Sequence, residues 1–231
     1  MGKGIRTFVV KFKNEISFNE IPLFRGAVLN ALGSDVDLLY HNHSGENTFR
    51  YSYPLIQYKR IHKKAVIFCV ADGVNAIGKF LASQNFSLIL GERPISLVIE
   101  SVSPKRDLIQ TWDTEFKYNI TNWIPLNSDN YRAYMELEGI TEKTQFLERM
   151  LVGNLLSFAK GVGIEIKNEI KCKLLSVDTQ RSSVVKGVKM ITFNAEFKTN
   201  LSLPDYIGLG KHVSIGYGTV VKKYNKEQTN N

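Results

Sequence analysis

The sequence predicts an α+β protein of two tandem ferredoxin-like halves of βαββαβ type, the second degenerate and carrying a glycine-rich loop near the C-terminus. Three observations predict this. The 231 residues exceed what one small core needs and suit two domains of roughly 100 residues each. The first half reads strand, helix, strand, strand, helix, strand. After a break near Pro104 most of that order recurs, which sets the expected domains at 1–104 and 105–231.

The elements follow in order. Residues 6–12 alternate around Phe8, Val10 and Phe12, as a half-buried strand does. Ser17 and Glu20 are spaced as a capping box, so a helix starts there and ends at Gly33, with Leu23, Ala27, Leu29, Ala31 and Leu32 as its expected buried side. A polar stretch holding Tyr40-His-Asn-His43 precedes strand-like runs over 55–61 and 65–70, and the short His62-Lys-Lys64 connection between them suits a hairpin. A short helix over 74–83 and extended runs over 86–90 and 96–102 complete the first half. Pro104-Lys-Arg-Asp107 interrupts the strand pattern and marks the boundary.

In the second half, 116–124 reads as a strand. Thr141 opens a helix whose Leu147, Leu151, Leu155, Phe158 and Val162 share one stripe, and Gly161-Val-Gly163 ends it. Residues 164–177 and 184–201 alternate as strands, and a glycine-rich segment leads into a last one. The duplication rests on element order, because the halves share too little sequence for a repeat.

Lys and Arg outnumber Asp and Glu by 30 to 22, a formal charge of +8. Such a field favours polyanions, and nucleic acid ranks ahead of membrane because no apolar anchor or basic amphipathic helix accompanies it. The N-terminal residues alternate at once and hold no signal-peptide block, and no apolar run approaches the ~20 residues of a bilayer span, so the expected location is the cytoplasm. Cys69 and Cys172 sit far apart in strand-like runs and are expected to be free thiols.

Two segments hold the candidate chemistry. In Gly208-Leu-Gly210-Lys211-His-Val-Ser-Ile-Gly216-Tyr-Gly218, glycines let the backbone approach an anion and Lys211 adds charge, although a tight glycine turn explains the same residues. The spacing matches neither a Walker loop nor a dinucleotide fingerprint, so ATP is disfavoured. His41 and His43 offer groups that titrate near neutral pH; loop histidines without a role, or a fragment of a metal site, remain open from the residues alone. Lys105, Arg106, Lys171, Lys173, Lys186 and Lys189 either grip phosphates or form a solvated face.

The segment GLGKHVSIGYG, together with Tyr40-His-Asn-His43 and Tyr53-Pro-Leu-Ile-Gln-Tyr-Lys59, resembles the repeat-associated RNA-binding superfamily of CRISPR proteins. Within it, the resemblance is to the stand-alone endoribonucleases that process CRISPR precursor transcripts, in their subtype I-B-like branch. That resemblance implies metal-independent attack by the ribose 2′-hydroxyl, giving a 2′,3′-cyclic phosphate and a 5′-hydroxyl, with no cofactor. It implies His41 and His43 as base and acid in unassigned order; Tyr51, close to them in sequence, has a hydroxyl able to orient a histidine or donate a proton and is the expected catalytic helper. Near the histidines in sequence, Arg50, Lys59 and Arg60 offer cations for RNA phosphate, and Gly208, Gly210, Lys211, His212, Ser214, Gly216 and Gly218 of the matching loop are expected to contact RNA. The expected partner is CRISPR repeat RNA; a CRISPR effector complex and a second copy of the chain are left open. The rival readings are a guide-RNA-holding subunit that does not cut, and a small-molecule enzyme on the same scaffold.

Overall fold

The computed structural model describes residues 3–32, 43–44, 48–49, 53–84, 86–178, 181–185 and 187–224. The chain divides into two compact units: one takes Gly4–Asp107 together with Ser214–Gly216, and the other takes Leu108–Val213 and the strand that follows Tyr217.

The first unit begins with β1 (Lys3–Glu15). A 3-10 turn over Phe18–Glu20 leads into α1 (Ile21–Leu32), and the Glu20 carboxylate accepts from the Ser17 amide at 2.7 Å, one half of the expected capping box. Pro22 falls in the first turn of α1, where its missing N–H has no intrahelical partner to lose. The buried side of α1 is offset from the expected one: Ile21, Phe24, Ala27 and Val28 point inward, while Leu23 is 45% exposed. Phe24 meets Phe12 and Tyr58 edge-on at 5.9 and 5.6 Å between ring centroids.

Two short strands, β2 (His43–Ser44) and β3 (Thr48–Phe49), pair with each other. Next come β4 (Ile56–Ile61) and β5 (Lys64–Val70), joined by His62 and Lys63, both with positive φ (49° and 69°), as a two-residue primed turn requires. Helix α2 (Gly73–Ala82) buries Ala76, Ile77 and Phe80. The hairpin β6 (Ser87–Leu90) and β7 (Arg93–Ser96) precedes β8 (Ile99–Ile109). The sheet order β4-β5-β1-β8 is the ferredoxin-like arrangement, in which the second, third, first and fourth strands of βαββαβ lie side by side. The break expected at Pro104 is absent, since β8 runs through it; as an edge strand, β8 tolerates a residue without an N–H.

The second unit repeats the arrangement. Strand β9 (Thr111–Trp123) is followed by α3 (Ser128–Glu136) and α4 (Ile140–Gly161). Then come β10 (Cys172–Val177), β11 (Arg181–Val185), β12 (Val188–Leu201) and β13 (Thr219–Lys222). The order β10-β12-β9-β13 again places second, third, first and fourth strands in sequence. Between β12 and β13 the glycine-rich segment stands where the first unit has its second helix. All five residues of the expected α4 stripe are buried. Trp123 on β9 donates its indole N–H to Asn154 Oδ1 on α4 at 2.9 Å, and Tyr118 stacks on Phe197 at 5.5 Å. The run expected as one strand over 184–201 is instead the end of β11 and all of β12, which pair antiparallel around a turn at Gly187. Cys69 and Cys172 are free, and burial pushes the Cys172 thiol up to about 12. Among the described residues no helix is long and apolar enough to cross a membrane.

Candidate RNA interface

The histidine segment is only partly placed. His41, Arg50 and Tyr51 lie outside the described residues, while His43 opens β2 and its backbone pairs with Phe49 of β3. Arg60, the exposed residue of β4, donates from Nε to the Ile16 carbonyl at 2.7 Å, which restrains the guanidinium. Lys59 departs from its expected role as a phosphate contact. β4 is buried on both faces, so Lys59 has no exposed surface, and burial pulls its ammonium down to about 7. A group so placed does not meet a phosphate arriving from solvent.

The glycine-rich segment is a tight backbone fold. Gly208 bridges to Thr219, and the amides of Leu209, Lys211 and Gly218 donate to the carbonyls of Gly218, Ile124 and Asn122. Those three amides are therefore occupied within the protein rather than turned toward an anion. Gly218 has φ +61°, and a Cβ there would sit 1.8 Å from the Leu209 carbonyl oxygen, so no other residue fits. At Gly216 (φ +91°) a Cβ would come within 2.7 Å of Ile21 Cδ1, which ties this glycine to the packing of α1 in the first unit. At Gly210 (φ +92°) a Cβ would lie 2.6 Å from the Ile124 carbonyl oxygen.

The side chains carry what the amides do not. Lys211 is exposed and lines a cleft of about 650 Å³ in the second unit. His212 holds a left-handed φ of +56°, a conformation that costs a non-glycine residue about 1–2 kcal/mol, and its half-buried ring stands 6.2 Å from that of Tyr217. Ser214 lies half-exposed in a 3-10 turn over Val213–Ile215. Strain of this kind in a segment with an outward cation is common where a backbone is shaped to meet a ligand.

Two family models cover almost the whole chain: the Cas6b N-terminal domain matches residues 3–107 and the Cas6b C-terminal domain matches residues 110–223. The chain belongs to the Cas6b family. It is similar to a crystal structure of Cas6b at 29% identity and a TM-score of 0.83, covering 96% of this chain and 100% of the other. A crystal structure of the CRISPR RNA processing endoribonuclease Cas6b shares the fold at 24% identity and a TM-score of 0.71, over 96% of this chain and 100% of the other. In Methanocaldococcus jannaschii, the Uncharacterized protein MJ0978 is 40% identical over 105 residues, 45% of this chain and 69% of that protein.

In this Cas6b-family chain the remaining basic candidates separate by environment. Lys173 is paired with Glu148 at 3.1 Å, and that carboxylate also accepts from the Leu174 amide, so Lys173 is partly neutralised. Arg106 lays its aliphatic stem against Gly4, while Lys105, Lys171 and Lys189 are exposed; Lys186 lies outside the described residues. Among the described residues no three His, Cys, Asp or Glu side chains converge as metal ligands do. Tyr131 and Arg132 on α3, which line the same cleft as Lys211, were not singled out in the sequence. Their signal was Asn127, whose side chain caps α3 by accepting from the Asn130 amide at 2.7 Å.

Proposed function

We propose that this chain is an endoribonuclease that cuts CRISPR precursor RNA within its repeats by attack of the ribose 2′-hydroxyl on the adjacent phosphate. One of His41 and His43 takes the 2′-hydroxyl proton as the 2′-oxygen bonds to phosphorus. The other donates a proton to the departing 5′-oxygen as the P–O5′ bond breaks, which leaves a 2′,3′-cyclic phosphate and a 5′-hydroxyl. The nucleophile belongs to the substrate, so the reaction needs no metal to generate hydroxide. Tyr51 orients a histidine, and Arg50 and Arg60 stabilise charge on the phosphorane. Lys211, His212 and Ser214 contact the RNA backbone. The reaction belongs to the cytoplasm, where its products serve as guides for a CRISPR effector complex.

The observation that carries this reading is the division of the chain. The compact unit that holds the strand beginning at His43 also takes in Ser214–Gly216, so a segment read as contacting RNA joins the unit read as cutting it. The His41→Ala/His43→Ala double variant tests the assignment. Repeat RNA should bind with near-native affinity, while cleavage falls about 10²- to 10⁴-fold, the usual worth of general acid–base catalysis. Unchanged cleavage would remove both histidines from the mechanism.

A further inference from the structure

We propose that the cleft in the second unit is a subsite for one unpaired nucleotide of the substrate RNA, its base stacked on Tyr131 and its phosphates held by Arg132, Lys189 and Lys211. The inference rests on the RNA-cleaving reading above and adds to it a place and a strandedness. The cleft has a volume of about 650 Å³, within the ~300–1,000 Å³ usual for small-ligand sites. That space is sufficient for a single splayed base.

Its walls are chemically one-sided. Leu126, Val188 and Met190 supply an apolar lining, and Tyr131 at the start of α3 stands 42% exposed, an aromatic face left to solvent beside that lining. Arg132, Lys189 and Lys211 also line it, and no carboxylate does. None of the three cations joins the ion pairs seen among the described residues. An apolar floor with an exposed ring and three positive charges complements a nucleotide, which is flat and apolar on its faces and anionic along its backbone. An acidic peptide would use the cations and leave the ring without a partner. Lys211 extends from the glycine-rich segment, so RNA held along that segment has a direct route into the cleft.

The test uses the full-length protein and repeat RNA from a CRISPR array of the same genome, substituted with 4-thiouridine at one position at a time and irradiated. Mass mapping should find one RNA position crosslinked within residues 126–132 or 187–191. An abasic site at that position should weaken wild-type binding by about 5- to 150-fold, the worth of one stacked base. Tyr131→Ala should lose the same factor on intact RNA and nothing further on the abasic RNA, whereas Tyr131→Phe should bind as wild type. Because Tyr131 is exposed, truncating it leaves the core intact, which a thermal melt checks. If wild type binds and cuts the RNA while Tyr131→Ala does so equally well, or loses the same factor on both RNAs, the subsite is overturned and the nuclease reading stands. Failure of the wild type to bind repeat RNA at all would overturn both.

Discussion

Lys59→Met should stabilise the first unit at neutral and acid pH. Lys59 sits on β4 with no exposed surface, and desolvation lowers its ammonium from 10.5 to about 7. In the unfolded chain it regains its ordinary value, so between about pH 7 and 10.5 the unfolded state binds a proton that the folded state does not. Stability contributed by this site is therefore lowest below pH 7 and rises as pH climbs through that window. A displacement of this size corresponds to about 5 kcal/mol where the lysine is charged in both states. Lys59 also makes interactions that methionine would lose, so about 5 kcal/mol is the ceiling of the gain. Both tryptophans, Trp112 and Trp123, belong to the second unit, so fluorescence would miss the effect. Native-state hydrogen exchange of the 56–70 peptide, which spans β4 and β5, reads it directly. Protection of that peptide in the wild type should grow from pH 6.5 to 9 after correction for intrinsic exchange, and the variant should be more protected at pH 6.5 and flat above it. A variant no more stable than wild type at pH 6.5, or a wild type with no pH dependence in this range, would refute the reasoning.

Two further outcomes follow from the glycine-rich segment. Gly218→Ala forces a left-handed alanine and a Cβ 1.8 Å from a carbonyl oxygen, so it should cost at least ~2 kcal/mol. The melting temperature of the second unit, followed by tryptophan fluorescence, should fall by more than about 5 °C. Lys211→Ala removes one exposed cation without touching packing, so the slope of log affinity for single-stranded repeat RNA against log salt should shrink by about 0.7, the value of one phosphate contact.

The parts of the fold legible in the sequence were those where one periodicity excluded the others. In α4 and at its C-cap, Leu147, Leu151, Leu155, Phe158 and Val162 recur at helical spacing between polar residues, and all are buried. In α1 the run IPLFRGAVLNAL is apolar on most sides, so the pattern could not tell exposed Leu23 from buried Phe24. The β6–β7 hairpin was read incompletely because Arg93 and Pro94 look like a turn, yet they form a short edge strand. Helix α3 buries only Tyr134 and has no apolar stripe to announce it. Of the candidate site, the side chains Lys211, His212 and Ser214 were legible as unusual, but what glycines 216 and 218 do was not. Their need is a close approach to Ile21 and Leu209, a tertiary fact that spacing does not encode. Lys59 misled for a related reason: a strand buried on both faces carries no alternation, and one lysine within it reads as the solvent side.

The central claim is that this Cas6b-family chain cuts repeat RNA by using the substrate's own 2′-hydroxyl, and one substitution in the RNA tests it. Purified protein with EDTA would be given repeat RNA and a matched strand bearing 2′-deoxyribose at the nucleotide 5′ of the cut. The account predicts cleavage of the first, with a cyclic phosphate end, and equal binding but no cleavage of the second. Cutting of the deoxy strand at the same position, or a requirement for added metal, would contradict it.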